Sequence, residues 1–264
     1  MTDAPLAVVT GASSGIGAEF ARVLLDRGYR VLAVARRADR LAALAEGTDG
    51  RLIPEVQDLT ADGAIESVAA RAEELGGADL LICNAGRGLQ GRFVETARSE
   101  TLEMLRLNVL ASVDLASQVV PRMVERGSGG VIVVASSLGF FATPNLAAYG
   151  ASKAFLLSFA ESLSTELKGT GVQAMALCPG PTITEFSEVA GLGDAVEKTP
   201  GHTTAAEVVA GALRAWDAGR VVTVPGTVTR LMTAALDHAP RAIARRVMEK
   251  VFRSPEEATQ IPAA

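Results

Sequence analysis

Tyr149 and Lys153 lie four residues apart in the segment 147–154, and their side-chain types can together manage a proton. On an α-helix this spacing places both side chains on one face. An ammonium beside a phenol stabilises the phenolate, so we expect the pKa of Tyr149 to fall from about 10 toward a range useful in acid–base chemistry. The alternative is a half-buried tyrosine beside a solvated lysine. The chain has two tyrosines and four lysines, so chance would rarely produce this pair.

The composition is that of an ordinary globular enzyme. Hydrophobic residues make up 48% of the 264 positions and charged residues 21%, which excludes a disordered chain. Aromatic residues are scarce at 4%, which does not favour a surface on which single-stranded nucleic acid stacks. The net charge is −5, so the overall charge is not the basic one typical of nucleic-acid-binding proteins. We therefore expect no nucleic-acid partner.

Cysteine and histidine usage indicates no metal site. Cys83 and Cys178 each lie in an apolar run before a glycine-containing turn, which is typical of buried, reduced thiols. Only two histidines occur, and no metal-ligand spacing surrounds either cysteine. The N-terminus has no signal region, and no run approaches the roughly 18 apolar residues of a membrane span. We expect a cytoplasmic protein without a membrane partner.

Short apolar runs alternate with helical patterns along most of the chain. The predicted strands are 6–10, 30–35, 51–57, 79–83, 131–135, 172–178 and 220–224. The predicted helices are 15–27, 38–46, 61–75, 99–125, 149–168 and 205–217, with Ser99 and Thr204 resembling helix starts. Most strands are continuously apolar, as parallel strands covered on both faces are. This alternation predicts one α/β domain over residues 1–264, a Rossmann-like doubly wound parallel sheet of about seven strands with helices on both faces.

Two segments go beyond this alternation. Residues 181–203 lack clear periodicity and carry several Gly and Pro residues, which indicates a substrate-binding loop or lid. Residues 227–253 form a C-terminal helical extension in which Ile243, Val247 and Val251 recur every four residues among basic side chains. We expect this stripe to pack on its own subunit or on a neighbour in an oligomer. A membrane-surface helix is the alternative.

A glycine-rich segment, Thr10–Gly17, follows the first predicted strand directly and precedes a helix. Glycines there let the backbone turn tightly and approach a pyrophosphate, which the free N–H groups of a helix N-terminus favour. The spacing G-x-x-x-G-x-G differs from the common G-x-G-x-x-G fingerprint, but its strand–turn–helix context is right. We interpret the segment as a dinucleotide-binding turn rather than a plain glycine-rich turn.

The chain resembles the short-chain dehydrogenase/reductase superfamily, of the compact type. The positions that carry the resemblance are Thr10–Gly17, Asn84-Ala85-Gly86 after the fourth strand, Asn108, Ser136, the Tyr149/Lys153 pair, and Pro179-Gly180 after the sixth strand. They cover residues 6 to about 185 in the family's order. The resemblance implies hydride exchange between a nicotinamide dinucleotide and a carbonyl or alcohol, catalysed in a homodimer or homotetramer.

The end of the second strand favours NADP(H) over NAD(H). An acidic residue there would accept hydrogen bonds from the adenosine ribose, whereas this chain has Arg36 and Arg37. Guanidinium groups complement a 2′-phosphate, with Ser13 as a further contact. The alternative is that one or both arginines merely begin the next helix. By resemblance, Asp58 would lie near the adenine.

The resemblance also assigns roles to the chemical residues. Tyr149 would transfer the proton, Lys153 would lower the phenol pKa and hold ribose hydroxyls, and Asn108 would help place a relay water. The family's serine stands three residues before a glycine that lies ten before the tyrosine, which selects Ser136 over Ser137. Adjacent strand residues point to opposite faces, so the two serines cannot serve equally.

The remaining cofactor contacts follow from the family's motifs. They are Gly11, Ser13, Ser14, Gly15, Ile16 and Gly17 in the glycine-rich turn, Asn84, Ala85 and Gly86 along the groove, and Pro179, Gly180, Thr182 and Thr184 around the nicotinamide. The expected pocket wall is Phe140, Phe141, Leu146, Phe186, Val189 and Leu192, which favours a small apolar carbonyl or alcohol substrate.

Other functions remain open for this sequence. A catalytically inactive dinucleotide-binding regulator would have no need of the Tyr149/Lys153 pair. A relative that catalyses epimerisation or dehydration would usually carry a larger C-terminal substrate domain. An enoyl reductase of the same superfamily would space the tyrosine and lysine more widely. The sequence therefore favours a carbonyl reductase or alcohol dehydrogenase.

Overall fold

Continuously apolar runs form the central strands of this protein, because strands covered on both faces have no polar side. The structure, a computed structural model, describes residues 4–186, 196 and 199–252. The strands are β1 (Leu6–Thr10), β2 (Arg30–Ala35), β3 (Leu52–Val56), β4 (Leu80–Cys83), β5 (Gly129–Val134), β6 (Val172–Leu177), β7 (Thr182–Ile183), β8 (Thr203–Thr204) and β9 (Val222–Thr223). The seven predicted strands are confirmed within two residues at each end.

Helices connect successive strands, as the alternation predicts. They are α1 (Gly15–Asp26), α2 (Ala38–Ala45), α3 (Ala64–Glu74), α4 (Arg98–Leu105), α5 (Ala111–Arg126), α6 (Ala147–Glu166), α7 (Ala205–Asp217), α8 (Thr227–Asp237) and α9 (Arg241–Val251). None of the helices in the described ranges has the length and apolar character needed to cross a bilayer.

Seven of the described strands form one parallel sheet in the order β3-β2-β1-β4-β5-β6-β9. Its two faces are covered by separate layers of apolar side chains, one including Val8, Leu81 and Val131, the other including Val9, Phe20 and Ile132. The predicted doubly wound sheet is confirmed. The order in which strands are added to the sheet reverses between β1 and β4, so the carboxyl ends of these strands form the crevice where such folds bind ligands.

The thiols of Cys83 and Cys178 are free and buried, as the sequence predicts. Both thiols lie at the carboxyl ends of central strands. Burial raises the pKa of each to about 12, because a thiolate loses its hydration in the apolar interior.

Short strands close the base of the loop predicted over 181–203. β7 pairs in parallel with β8, with Thr182 opposite Thr203, and their hydroxyl oxygens lie 3.3 Å apart. The two ends of the loop are therefore joined at its base. Residues 187–195, 197 and 198 lie outside the described part of the chain.

Helix boundaries differ from the sequence in two places. Thr204 caps α7 in a reciprocal capping box with Glu207, as predicted, but Ser99 does not begin α4, whose N-cap is Ala97. The helix predicted over 99–125 is divided by a single π-helical turn, Arg106–Leu110, that separates α4 from α5. One extra residue in a helical turn changes which side chains face the sheet, and such turns are frequent at functional sites.

The C-terminal extension consists of the two helices α8 and α9. The apolar stripe predicted on α9 is not the face of that helix that is buried. On α9 the residues packed against this chain are Ala244 and Met248, whereas Ile243 and Val251 are 52% and 62% exposed. The helix therefore packs on its own subunit, one of the two expected arrangements, but through the face of Ala244 and Met248 and not through the stripe. Packing on another copy or on a membrane surface stays a prediction.

Candidate active site

Three consecutive elements bring the predicted chemical side chains together at the carboxyl edge of the sheet. β5 ends at Val134, and two residues later Ser136 caps a 3₁₀ turn, Ser137–Phe140, by accepting a hydrogen bond from Leu138 N at 3.1 Å. α6 then runs against this turn and β6, presenting Tyr149 and Lys153 on its buried face. The i, i+4 spacing thus places both side chains beside Ser136.

The hydroxyl of Ser136 lies near that of Tyr149 and acts to lower the pKa of the phenol. Tyr149 is only 7% exposed, and the ammonium of Lys153 lies 5.8 Å from the centre of its ring. The adjacent Ser137, which the sequence did not favour as the site serine, donates its backbone N–H to Pro179 O at 2.8 Å. The arrangement brings one hydroxyl donor, one phenol and one ammonium to a single buried point.

The pKa of Tyr149 was expected to fall, but in the protein without a ligand it rises. Burial raises that pKa to about 12, and the nearby hydroxyl of Ser136 opposes the rise only in part. The phenolate would lose its hydration inside the protein, and this cost exceeds the help from neighbouring groups. Tyr149 is therefore held as a neutral phenol, the form that can donate a proton.

Lys153 shows the complementary shift. It is 4% exposed, and burial lowers the pKa of its ammonium to about 8, with Cys178 nearby acting in the opposite direction. Its Nζ donates to the carbonyl oxygen of Val134 at 2.9 Å. The bond to the strand end fixes the direction of the side chain and leaves two further N–H donors.

Asn108 lies in the π-helical turn and is fully buried. Its amide group spans two segments, since Oδ1 accepts from Arg87 N at 2.8 Å and Nδ2 donates to Arg87 O at 3.0 Å and to Ser152 Oγ at 3.3 Å. The side chain thus fixes the chain after β4 against α6. Arg87 and Ser152 carry no motif signal, so sequence reasoning missed both. The relay-water role stays a prediction.

Gly86 is the point where the chain after β4 passes between these groups. A Cβ at this position would lie 3.0 Å from Asn108 Oδ1 and 3.6 Å from Lys153 Nζ. The absence of a side chain is therefore required by close approach rather than by an unusual backbone angle. We infer that Gly86 sets the spacing between the amide and the ammonium.

Gly86→Ala should lower kcat/KM by about 10- to 100-fold, because displacement of well-aligned groups by less than 1 Å has effects of this size. We expect the free energy of unfolding to fall by no more than about 2 kcal/mol, since one methyl group must be accommodated. Gly211→Ala, within α7, is the matched control. A Gly86→Ala enzyme with wild-type kcat/KM would contradict the assignment.

The glycine-rich turn is anchored to the neighbouring strand by polar groups. Asn84 Nδ2 donates to Thr10 O at 2.9 Å, while the hydroxyl of Thr10 accepts from the backbone N–H groups of Asn84 and Ala85 at 2.9 and 3.0 Å. Asn84 therefore holds the turn in place through its side chain. The anchoring hydroxyl of Thr10, at the first position of the motif, was not among the predicted contacts.

Within the turn, the predicted residues divide between backbone and side-chain roles. Gly15 has a left-handed backbone (φ +55) and begins α1, whereas Ile16 packs partly against the core below. Gly11 and Gly17 lie so close to Asn84 that a Cβ on either would press on its amide. The turn thus places three glycines, which carry no side chains of their own, at a helix N-terminus.

The two arginines after β2 take different partners. Arg36 is exposed and lies 3.9 Å from Asp58, whose pKa is lowered mainly by hydrogen bonds from the backbone and hydroxyl of Thr60. Arg37 reaches the glycine-rich turn and donates to Ser13 Oγ at 3.1 Å and to Ser14 Oγ at 2.7 Å. Arg37 and Ser13 therefore meet at the turn, whereas Arg36 lies beside Asp58, and the contact of all three with a 2′-phosphate stays a prediction.

The turn after β6 passes over the other side of the crevice. Thr182 Oγ1 donates to Gly180 O at 2.9 Å, and Gly180 lies against Thr229 of α8, so the C-terminal extension supports this turn. Thr184 lies 3.2 Å from the position a Gly15 Cβ would occupy. The predicted nicotinamide segment and the glycine-rich turn are thus in contact.

The expected pocket wall is only partly brought together. The ring of Phe186 lies 5.9 Å from that of Tyr149, and Phe140 and Phe141 are neighbouring, half-buried rings 6.1 Å apart. Leu146 is 1% exposed and packs with Met104 and Tyr149, so it supports the tyrosine instead of presenting a surface to a substrate. The predicted wall residues Val189 and Leu192 lie outside the described residues.

The residues at this edge fit a nicotinamide dinucleotide. The turn supplies backbone N–H groups at a helix N-terminus for a pyrophosphate, the arginines supply cations beside the adenosine end, and Lys153 supplies spare donors beside the buried phenol. These features lie in the order in which a dinucleotide would meet them across the β1/β4 crevice.

Comparison with known proteins agrees with this arrangement. A family model described as short chain dehydrogenase matches residues 5–193. An uncharacterized oxidoreductase of Myxococcus xanthus is 40% identical over 178 residues, 66% of this chain and 70% of that protein. The chain covers less than two thirds of the length of several other curated relatives.

Two solved structures extend the similarity over nearly the whole chain. A short-chain dehydrogenase from Sphingobium yanoikuyae in complex with NADPH is 32% identical with a TM-score of 0.80, covering 98% of this chain and 100% of that one. A bulky-bulky ketone specific alcohol dehydrogenase from Comamonas testosteroni is 29% identical with a TM-score of 0.77, covering 100% and 98%. The chain belongs to the short-chain dehydrogenase/reductase family of NAD(P)-dependent oxidoreductases.

Proposed function

We propose that this chain is an NADP(H)-dependent oxidoreductase that interconverts a ketone or aldehyde and an alcohol, with Tyr149 as the proton donor and acceptor. The observation that carries the proposal is the buried phenol of Tyr149, with the hydroxyl of Ser136 near it and the ammonium of Lys153 beside its ring. The bound dinucleotide supplies the hydride. The protein has to orient the carbonyl group and deliver one proton.

In the direction of reduction, the carbonyl oxygen accepts hydrogen bonds from Ser136 and Tyr149. As the carbon gains a hydride, charge develops on that oxygen, and Tyr149 gives up its proton to complete the alcohol. Because burial holds the Tyr149 pKa at about 12, the phenol is protonated throughout the neutral range and ready for this step. Alcohol oxidation requires the reverse transfer, so its rate should rise with pH.

Lys153 and Asn108 act around this proton. A positive charge 5.8 Å from the ring centre favours the phenolate that forms when Tyr149 donates. The spare N–H donors of Lys153 would hold ribose hydroxyl groups. Asn108 fixes the chain beside Lys153, and a water held near this point would return the proton from solvent. These roles follow the family resemblance and the contacts described above.

The preference for NADP(H) is supported by the charges beside the glycine-rich turn. Arg36 and Arg37 extend from the end of β2, and Arg37 reaches Ser13 and Ser14. A 2′-phosphate carries about −1.5 to −2 charges and three acceptor oxygens, which guanidinium groups complement well. The similar dehydrogenase from Sphingobium yanoikuyae was solved with NADPH, which supports the same preference here.

Arg36→Asp should reverse much of this preference. Loss of a charge-assisted hydrogen bond and the repulsion between two anions should lower kcat/KM for NADPH by about 100-fold relative to that for NADH. The measurement is kcat/KM for both cofactors with one ketone. Arg71→Asp, an exposed position in the last turn of α3, is the control. An unchanged ratio in Arg36→Asp would refute the assignment.

The substrate we propose is a largely apolar ketone or secondary alcohol. Phe186 contacts Tyr149, and Phe140 and Phe141 lie on the turn that begins at Ser136. An aromatic ring beside Tyr149 and two on the turn after Ser136 favour an apolar substituent over a charged one. The alcohol dehydrogenase of Comamonas testosteroni, described as specific for bulky-bulky ketones, makes such ketones the first substrates to test.

Assembly and location remain predictions. Exposed apolar side chains on the turn before α5 and on α6, among them Leu110 (60%) and Phe155 (48%), support a contact between copies in a homodimer or homotetramer. We retain the expectation of a cytoplasmic protein in which residues 1–264 form one domain.

A further inference from the structure

A carboxylate lies among the arginines that we assign to the cofactor phosphate. Glu185 follows Thr184 in the segment Thr182–Phe186, here named the strap. Its Oε2 lies 2.8 Å from Arg37 Nη1, and its Oε1 lies 3.2 Å from Arg40 Nη2. The strap is therefore tied to α2 and the residue before it, although 148 positions separate Glu185 from Arg37.

The guanidinium of Arg37 joins the strap to the glycine-rich turn. Its Nε and Nη2 donate to Ser13 Oγ, its Nη2 also donates to Ser14 Oγ, and its Nη1 donates to Glu185. The same hydrogen bond from Arg37 holds the pKa of Glu185 below its usual range, so the carboxylate is ionised at neutral pH. Arg37 thus already has an anionic partner.

We propose that Glu185 competes with the cofactor 2′-phosphate for Arg37, so that a 2′-phosphorylated cofactor, and not its unphosphorylated analogue, unties the strap. The inference rests on the proposed function, which places the 2′-phosphate beside Arg37. A phosphate carries more charge and more acceptor oxygens than a carboxylate, so it outcompetes Glu185. A neutral 2′-hydroxyl has no such advantage and leaves the ion pair intact.

Because the Arg37–Glu185 pair is exposed to water, breaking it costs little free energy. The side chains of Arg37 and Glu185 are 43% and 37% exposed, and ion pairs with this access to water contribute little net stability. The strap also carries Phe186, whose ring contacts Tyr149. Release of Glu185 would therefore free the segment that ends beside the proton donor, and the adenosine end of the cofactor would be linked to the substrate side of the site.

The opposite role for Glu185 makes opposite predictions. If the carboxylate merely held Arg37 in the correct orientation for phosphate, its removal would weaken binding of a 2′-phosphate. If it competes, its removal strengthens that binding. The adenosine fragments 2′,5′-ADP and 5′-AMP separate these cases, because they differ only in the 2′-phosphate and contain no nicotinamide.

Isothermal titration of wild-type and Glu185→Gln protein with both fragments tests the proposal. We expect Glu185→Gln to bind 2′,5′-ADP about 3- to 10-fold more tightly, in keeping with the removal of one competing charge, and 5′-AMP within twofold of wild type. Glu74→Gln, which breaks the exposed pair with Arg71 on α3, should change neither affinity. Weaker or unchanged binding of 2′,5′-ADP by Glu185→Gln would overturn the proposal.

Hydrogen exchange supplies a second readout that does not depend on activity. In wild-type protein, saturating 2′,5′-ADP should accelerate amide exchange in the strap, whereas saturating 5′-AMP should not. Equal or slower exchange with 2′,5′-ADP would overturn the release step. If wild type binds the two fragments equally, the proposed NADP(H) preference fails together with this inference. If it prefers 2′,5′-ADP but Glu185→Gln is unaltered, only the competition fails.

Discussion

Tyr149→Phe is expected to lower kcat for ketone reduction by about 1,000- to 10,000-fold. The substitution removes one hydroxyl and with it the proton that completes the alcohol, a contribution that lies at the upper end for general acid catalysis. The ring itself is retained, so its contacts with Phe186 and Leu146 persist. NADPH binding measured by fluorescence should stay within threefold of wild type, because the loss falls on the chemical step.

The other tyrosine supplies the matched control for this experiment. Tyr29 is half-buried and directly precedes β2, at the amino end of that strand. Burial raises the pKa of its hydroxyl as well. Tyr29→Phe should keep wild-type kcat and KM, since this hydroxyl is not at the carboxyl edge of the sheet. A Tyr149→Phe enzyme that retained more than about a tenth of wild-type kcat would show that another group delivers the proton.

Lys153→Met is expected to lower kcat/KM by about 100- to 1,000-fold, the range for removal of one preorganised charged donor. The change removes the positive charge beside Tyr149 and the donors proposed for the ribose. Protein stability should not fall with activity. Burial disfavours the ammonium, as its lowered pKa indicates, so a thioether of similar length should be tolerated or stabilising at neutral pH. Thermal unfolding measured beside kcat/KM tests both statements.

The pH dependence of cofactor binding gives the same prediction a second test. Because the Lys153 pKa is lowered to about 8, the ammonium is present below that pH and is lost above it. A ligand that prefers the charged form must then take up a proton, so NADPH affinity should fall as pH rises through about 8. In Lys153→Met this fall should disappear. Lys168→Met, at an exposed position after α6, should preserve it.

The sheet could be predicted closely because its signal is local. Most of the seven strands are short apolar runs, which indicates that both faces of the sheet are covered, and parallel pairing follows from the helices between them. The capping box at Thr204 is equally local. The π-helical turn at Asn108 could not be predicted in this way, since its sequence is compatible with a continuous helix.

The sequence predicted which residues form the site better than it predicted their pKa values. Tyr149, Lys153 and Ser136 meet as their spacing implies, yet the pKa of Tyr149 rises instead of falling. Spacing reports how near the ammonium lies but says nothing about how much water the phenol loses. The sign of the shift depends on burial by β5, β6 and α6 together, which is a property of the assembled fold.

Contacts between residues far apart in the chain could not be predicted from the sequence for a related reason. Glu185 carries no motif signal, and its partner Arg37 was expected either beside the cofactor phosphate or simply at the start of the next helix. The contact arises because β6 and β2 both end at the same edge of the sheet, which brings the chain segments that follow them together. The apolar stripe of α9 was misjudged similarly, since a repeat of four residues marks a helix face but does not say which neighbour covers it.

The most direct test of the account is product analysis with NADPH that carries deuterium at the transferred position. With a bulky apolar ketone, wild-type protein should form one alcohol per NADPH consumed, with deuterium on the carbinol carbon. Tyr149→Phe should form almost none in the same time while still binding NADPH. NADPH binding without turnover across a panel of ketones, or equal product from wild type and Tyr149→Phe, would contradict the assignment of Tyr149 as proton donor in carbonyl reduction.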